Sequence, residues 1–271
     1  MKLPVYWVDA FAERAFQGNP AAVVPLHTWQ EDALLQKIAF EHGLSETAFF
    51  VKSGKNRYHL RWFSPAVEVA LCGHATLAAA HVLFHELNVP GDEVTFDSKS
   101  GSLTVARRSD GKLELNFPAR PAASLSYDVS AVTSARESTL VRGLGLAPDF
   151  MAKTDRMWIC VYPQPEEVIA LRPNHALLAE VIPGRISVTA PGRDCDFVSR
   201  YFAPDAGIPE DPVTGAAHCT LVPYWAARLD RNELHARQLS RRGGELWCTL
   251  AGDRVKLAGH STLYLRGEIS L

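Results

Sequence analysis

Short segments of alternating or β-branched apolar residues run through most of the chain and predict a protein built mainly of strands. Turn signals such as Gly18-Asn19-Pro20 and Asp110-Gly111 separate several of these segments. The predicted strands are 5–11, 21–24, 47–51, 58–63, 94–96, 102–106, 112–117, 157–161, 186–190, 196–203, 245–250, 254–257 and 262–265.

Apolar residues at helical spacing predict fewer, well-separated helices. The expected helices are 29–42, 72–85, 137–144 and 218–229, with a further helical piece at 166–171. Strands with one central helix in each half predict an α+β fold, most simply a mainly antiparallel sheet wrapped on a helix.

A sequence repeat relates the two halves of the chain. The segment Arg61-Trp62-Phe63-Ser64-Pro65 returns as Arg200-Tyr201-Phe202-Ala203-Pro204. Eleven residues after each arginine stands a reactive side chain, Cys72 in the first half and Asp211 in the second. Two copies of this length predict two similar domains that face one another, with paired helix N-termini at the cleft, rather than a solenoid.

The domain boundaries follow from the repeat and from a segment rich in Pro and Ala. We place the N-terminal domain at 1–118, a linker at 119–124 and the C-terminal domain at 125–262. Residues 263–271 are expected to form a terminal strand that packs on the N-terminal domain.

Composition narrows the function classes. The 271 residues carry a formal net charge of −2 and no basic stripe, so neither nucleic acid nor an anionic membrane is expected as a partner. The chain shows no signal-peptide pattern and no apolar run near about twenty residues. Its five cysteines are scattered, which indicates neither a zinc site nor a disulfide framework and favours a cytoplasmic location.

The two predicted helix starts are candidates for anion binding. Unpaired N–H groups and the helix dipole at such an end attract a carboxylate, and Gly73 and Gly215 permit close backbone approach. Other interpretations stay open: Asp211 before a helix is also a common N-cap, and Cys72 is also a small buried apolar residue.

Two further residues are candidates for proton transfer. His74 lies two residues inside its helix start and would carry protons at neutral pH if it lies near the cleft; a structural role is the alternative. Glu46 precedes the apolar residues of a strand, where desolvation would raise its pKa toward that of a general base; a solvated loop residue is the alternative.

Four motifs together resemble the phenazine-biosynthesis (PhzF-like) family, which has the diaminopimelate-epimerase fold. They are Gly18-Asn19-Pro20, Leu44-Ser45-Glu46-Thr47-Ala48-Phe49, Leu71-Cys72-Gly73-His74-Ala75-Thr76-Leu77 and Glu210-Asp211-Pro212-Val213-Thr214-Gly215. The resemblance covers essentially the whole chain. It implies two domains with curled sheets, an active site between them, and neither cofactor nor metal.

The resemblance also implies roles for individual residues. Glu46 matches the general acid/base that moves a proton from carbon to carbon, while His74 and Asp211 line the site. Gly73 and its neighbours hold the substrate carboxylate, and Asn19 matches an asparagine of the wider fold. The same resemblance implies a homodimer, of which the sequence gives no independent sign.

Two positions depart from the family pattern. Ala216 replaces a serine of the phenazine enzyme, which removes one polar contact to the substrate. Diaminopimelate epimerases use two cysteines, whereas Asp211 is paired with Cys72 here, so a mechanism with two thiols is excluded. The chain thus resembles the branch of uncharacterised isomerases.

Three functions remain open. The first is a cofactor-independent isomerase acting on a small carboxylate through Glu46. The second is a racemase or epimerase that uses Cys72 as a proton carrier. The third is a carboxylate-binding protein without catalytic activity, an interpretation that Ala216 favours.

Overall fold

The protein divides into two compact units. A computed structural model describes residues 1–122, 127–128, 135–182 and 184–271. The first unit comprises 1–117 and 256–271, and the second comprises 118–255. The predicted linker at 119–124 is described only as far as residue 122; its last two residues lie outside the described part.

The first unit contains the strands of the N-terminal part of the chain, the last strand of the chain and two α-helices. Its elements are β1 (Lys2–Ala10), β2 (Asn19–Leu26), α1 (Asp32–His42), β3 (Glu46–Gly54), β4 (Arg57–Phe63), β5 (Glu68–Val69), α2 (Gly73–His81), β6 (Glu93–Ser98), β7 (Gly101–Arg107), β8 (Leu113–Pro118) and β18 (Ser261–Ser270). β1 pairs antiparallel with β2 and with β18, and β2 runs parallel to β3. β4 pairs antiparallel with β3 and β5 and parallel with β6.

Helix α2 is the central helix of this unit. All nine of its residues are buried, as expected for a helix built mostly of small and apolar residues. It packs against β1, β2 and β3. A sheet that encloses a helix in this way needs few surface helices, which accounts for the strand-rich sequence.

The second unit repeats this scheme. Its elements are β9 (Tyr127–Asp128), α3 (Ala135–Leu144), β10 (Phe150–Lys153), β11 (Trp158–Val161), α4 (Pro165–Ala170), α5 (His175–Ala179), β12 (Ile186–Pro191), β13 (Phe197–Ala203), β14 (Ile208–Asp211), α6 (Gly215–Leu229), β15 (Glu233–Gln238), β16 (Gly244–Ala251) and β17 (Arg254–Gly259), the last of which continues into the first unit. β11 runs parallel to β12, and β13 pairs antiparallel with β12 and β14 and parallel with β15.

The order of pairings is the same in both units. The parallel pair β2/β3 matches β11/β12, and the parallel pair β4/β6 matches β13/β15. The buried helix α6 takes the place of α2. The predicted α+β class, with two similar units of mainly antiparallel sheet around a helix, is confirmed.

Many element boundaries differ from the predictions by a few residues, and three of the helices show this most clearly. α1 begins at Asp32 instead of residue 29. α2 ends at His81, and a π-helical turn, Val82–Glu86, follows where one continuous α-helix was expected. α6 begins at Gly215, three residues earlier than predicted, because Thr214 takes the extended N-cap conformation and not an interior helical one.

The elements missed from the sequence are short or have weak apolar patterns. They are β5, β9, β10, α5, β14 and β15. No helix in the described part of the chain is long and apolar enough to span a membrane.

Candidate active site

Glu46 is the first residue of β3, next to the buried strand β2. Its Cα lies opposite that of Ala21 in the parallel β2/β3 pair. The Glu46 side chain is only 12% exposed. It is therefore a nearly desolvated carboxylate at the end of a strand and not a solvated loop residue.

The start of α2 brings a thiol and an imidazole to this carboxylate. Cys72 is the N-cap residue, with extended backbone angles, and His74 is the second residue of the helix. His74 Nε2 lies 3.2 Å from Glu46 Oε2, and His74 Nδ1 lies 3.5 Å from Cys72 Sγ. Three side chains separated by up to 28 residues thus form one cluster.

The environment determines the protonation of His74. Burial lowers the pKa of its imidazole to about 3, so the ring is neutral at physiological pH. An ionised Glu46 can only accept a hydrogen bond, so the single ring proton then lies on Nε2 and Nδ1 accepts from the Cys72 thiol. If Glu46 takes up a proton, Nε2 becomes the acceptor. The Glu46–His74 pair can therefore hold and return one proton.

Thr76 supports this helix start. Its hydroxyl donates to the Cys72 carbonyl at 2.5 Å, one helical turn back. The Thr76 N–H donates to the same carbonyl at 3.3 Å, whereas the N–H groups before it in the first turn have no acceptor within the helix itself, which is the usual condition of a helix N-terminus. Such an end stabilises a negative charge placed near it.

Asp211 belongs to a separate buried network in the second unit. Thr214 Oγ1 donates to Asp211 Oδ2 at 2.6 Å. Gln238 accepts from the Thr214 N–H at 2.9 Å and donates to the Asp211 carbonyl at 2.8 Å. Gly215 opens α6, and Ala216, its second residue, is exposed.

Thr214 and Gln238 were missed from the sequence. Thr214 carries a weak signal, since a Thr before a helix start is a favoured N-cap. Gln238 carries none, because its partners lie at least 24 residues away.

The two units place their repeats in a different register from the one counted along the sequence. Arg61 forms a two-pronged ion pair with Glu68, at 2.8 and 3.0 Å, and Arg200 forms the same pair with Glu210, at 2.7 and 3.0 Å. These glutamates lie seven and ten residues after their arginines. Three extra residues in the second copy, at the turn Pro204–Ala206, therefore shift everything that follows.

The corrected register changes the expected correspondence of Cys72 with Asp211. The position that matches Cys72 is Thr214, since each is the N-cap four residues after the paired glutamate. Asp211 matches Val69 instead: Tyr201 pairs with Asp211 as Trp62 pairs with Val69. The prediction that Asp211 is the counterpart of Cys72, at the second thiol position, was wrong. It counted equal numbers of residues in both halves, whereas the second half has three more in the turn Pro204–Ala206.

In the same register, neither Glu46 nor His74 has an equivalent side chain in the second unit. Ala216 stands at the position of His74, and Arg185 stands at that of Glu46 because Ile186 and Thr47 pair with equivalent phenylalanines. Arg185 is paired with Asp205.

His218, a histidine in α6, matches Thr76 in this register. Its Nδ1 donates to the Thr214 carbonyl at 2.9 Å, as the Thr76 hydroxyl does to that of Cys72. His218 is fully buried, and its ring is tied to the N-cap residue of its own helix.

Asn19 begins β2 and is fully buried, two residues before the residue that pairs with Glu46. The preceding Gly18 has a φ of +64°, and a Cβ there would lie 2.1 Å from the Ala10 carbonyl oxygen. Only glycine fits this turn, which fixes the start of the strand beside Glu46.

The profile of the phenazine biosynthesis-like proteins, PhzC-PhzF, matches residues 8–267. The chain belongs to this family. The resemblance expected from four short motifs is thereby confirmed.

Relatives in the family cover the full chain. A Pseudomonas aeruginosa protein named as an uncharacterized isomerase is 50% identical over 272 residues, covering all of both chains. The human phenazine biosynthesis-like domain-containing protein is 40% identical over 288 residues, again covering both chains fully. The crystal structure of a PhzF-family protein from Enterococcus faecalis superposes with a TM-score of 0.92 at 40% identity and covers 100% of each chain.

Proposed function

We propose that this member of the phenazine biosynthesis-like family is an isomerase that needs no cofactor. Glu46 removes a proton from a carbon atom of a small carboxylate substrate and returns it to another carbon atom. The observation that carries the proposal is the contact at 3.2 Å between the nearly buried Glu46 carboxylate and the neutral His74 imidazole. The isomerase name of the Pseudomonas relative supports the same reaction class.

Burial of the pair suits this chemistry. A general base works best when its pKa lies near the operating pH, and the loss of hydration favours the neutral form of a carboxyl group. His74 supplies a fixed hydrogen bond that orients the carboxylate and can share its proton. Because both side chains are held by buried elements, little reorganisation accompanies the transfer.

The start of α2 is proposed to bind the substrate carboxylate. Backbone N–H groups at Gly73 and His74 and the helix dipole would stabilise the anion and the charge that develops as the carbon–hydrogen bond breaks. Asn19 and, in the second unit, Asp211, Gly215 and Ala216 stay predicted substrate contacts. The predicted homodimer likewise stays a prediction.

The test is hydrogen exchange in deuterated water over a panel of small carboxylates, including amino acids and dihydro-aromatic acids. We expect Glu46→Gln to slow exchange by about 10²–10⁴-fold, the usual contribution of a general base. Glu41→Gln, at an exposed position five residues earlier, is the matched control and should exchange like the wild type. Exchange that survives Glu46→Gln would refute the assignment, and the absence of exchange into ligands that bind would favour a carboxylate-binding protein.

A second candidate function rests on Cys72. Its thiol lies 3.5 Å from His74 Nδ1 at a helix N-terminus, where a thiolate would be stabilised. In a racemase of this kind Cys72→Ser abolishes exchange and Glu46→Gln does not. We favour Glu46, because Thr214 takes the corresponding N-cap in the second unit and offers no second thiol.

A further inference from the structure

The Glu46 cluster contains the donor atoms of a metal site as well as those of a proton-transfer site. One oxygen of Glu46, one ring nitrogen of His74 and the sulfur of Cys72 all lie within 4.8 Å of one another. Thiolate, imidazole and carboxylate are the three ligand types that zinc uses in proteins. The three donors come from the strand β3 and the start of α2.

Two of the three distances between donor atoms are close to those around a tetrahedral zinc ion. Bond lengths of about 2.3 Å to sulfur and about 2.0–2.2 Å to nitrogen and oxygen separate the ligand atoms by about 3.6 Å for sulfur to nitrogen and about 3.4 Å for nitrogen to oxygen. The Cys72 Sγ–His74 Nε2 distance is 4.0 Å, and the His74 Nε2–Glu46 Oε2 distance is 3.2 Å. Side-chain shifts of a few tenths of an ångström bring these two distances to the required values.

We propose that Cys72, His74 and Glu46 form a binding site for Zn²⁺, and that the bound ion inhibits the enzyme. As the sulfur–zinc bond forms, the Cys72 thiol releases its proton to solvent. The imidazole nitrogen and the carboxylate oxygen each donate a lone pair, and a water molecule completes the coordination. The inhibitory part rests on the proposed function, whereas binding of the ion does not.

Inhibition follows from competition for the same lone pairs. A zinc ion bonded to Glu46 and His74 occupies the atoms that would otherwise hold the transferred proton. Magnesium and calcium should not act in this way, because they prefer sites made of oxygen atoms alone and bind weakly to thiolate and imidazole. Free zinc, and neither magnesium nor calcium, is therefore expected to inhibit the enzyme.

Binding is tested first with Co²⁺ as a spectroscopic substitute for zinc. The full chain, freed of metal with a chelator and kept reduced, is titrated with Co²⁺, and the thiolate-to-cobalt charge-transfer absorption is recorded. We expect saturation at one ion per chain and displacement of cobalt by Zn²⁺ but not by Mg²⁺. Cys72→Ser should abolish the charge-transfer band, and Cys195→Ser, which removes a half-buried thiol of the second unit, should leave it unchanged.

Zinc affinity is then measured by competition with a chromogenic chelator. Substitution of residues that merely support a metal ligand lowers affinity about 10–100-fold, so loss of a direct ligand in Cys72→Ser, His74→Asn or Glu46→Gln should cost at least as much. Circular dichroism confirms that each variant is folded, and Cys72→Ala replaces Cys72→Ser if the serine variant is not. A charge-transfer band that persists without Cys72, or zinc affinity unchanged in all three variants, would overturn the site.

Inhibition is tested separately on any carboxylate that the wild type exchanges. The fraction of exchange lost at each zinc concentration should equal the fraction of sites filled in the binding titration. A chelator should restore the exchange in full. Activity that requires zinc, or that is indifferent to a saturated site, would overturn the inhibitory role. If no substrate exchanges, the proposed function fails while the cobalt titration still decides the binding site.

Discussion

Acidification should destabilise the second unit through His218. This imidazole is fully buried in α6 and donates Nδ1–H to the Thr214 carbonyl, and its ring centroid lies 5.8 Å from that of Phe197. Burial lowers its pKa from 6.5 to about 4. The unfolded chain therefore takes up a proton at a pH where the folded chain does not, and stability falls as the pH drops below about 6.5.

The size of the effect follows from the two pKa values. Between about pH 7.5 and pH 5 the unfolded imidazole becomes almost fully charged while the folded one stays neutral, which costs about 2 kcal/mol. The loss levels off below about pH 4, where the folded imidazole also takes up a proton. Burial also lowers the pKa values of His74 and His81, so the whole protein should lose more stability on acidification than His218 alone accounts for.

The assay is urea unfolding at a series of pH values for the wild type and for His218→Gln. The variant keeps a side-chain donor but has no titrating ring, so its stability should fall by about 2 kcal/mol less over the same interval. His27→Gln, at an exposed position, is the matched control and should follow the wild-type curve. Parallel curves for the wild type and His218→Gln would refute the argument that a buried neutral imidazole resists protonation here.

Three further predictions concern the start of α6 and the turn before β2. Gln238→Leu removes the partners of two buried backbone groups, the Thr214 N–H and the Asp211 carbonyl, and should lower the free energy of unfolding by about 2–4 kcal/mol in urea titrations. Gln30→Leu, at a surface amide, is the control and should cost under about 0.5 kcal/mol, so equal costs would contradict the role of the network. Gly18→Ala should destabilise far more than Gly252→Ala, because both have positive φ but only the first places a Cβ against backbone; similar unfolding midpoints would contradict this. Ala216→Ser should change the free energy of unfolding by less than about 0.5 kcal/mol, because the position is exposed on the helix; a larger loss of stability would contradict this surface placement. Any gain in affinity for the exchanging carboxylate, measured by calorimetry, then reports a restored polar contact.

The sequence carried the fold class because its strongest signals are local. The repeated Arg-aromatic-Phe segment is visible without coordinates, and its two arginines lie over equivalent phenylalanine rings, at 5.0 Å for Arg61 over Phe63 and 5.1 Å for Arg200 over Phe202. The α+β scheme could be predicted for the same reason. Short strands such as β14 could not, because a single proline-containing run of four residues has no usable period.

The candidate site was predictable as a list of residues but not as a geometry. Glu46, Cys72 and His74 could be named from motifs, whereas their contact depends on the pairing of β2 with β3 and on where α2 begins. Correspondence between the halves failed at one point, since three inserted residues in an irregular turn leave no pattern in the sequence. The Arg61–Glu68 and Arg200–Glu210 pairs reveal the insertion only in three dimensions.

In the proposed mechanism Glu46, and not Cys72, moves the proton between carbon atoms of the substrate. The most direct measurement compares the deuterium exchange rates of Glu46→Gln and Cys72→Ser on one carboxylate that the wild type exchanges, with both variants shown to be folded and to bind it. We expect a loss of about 10²–10⁴-fold for Glu46→Gln and of less than about tenfold for Cys72→Ser. The reverse order, with exchange lost in Cys72→Ser and retained in Glu46→Gln, would contradict this mechanism.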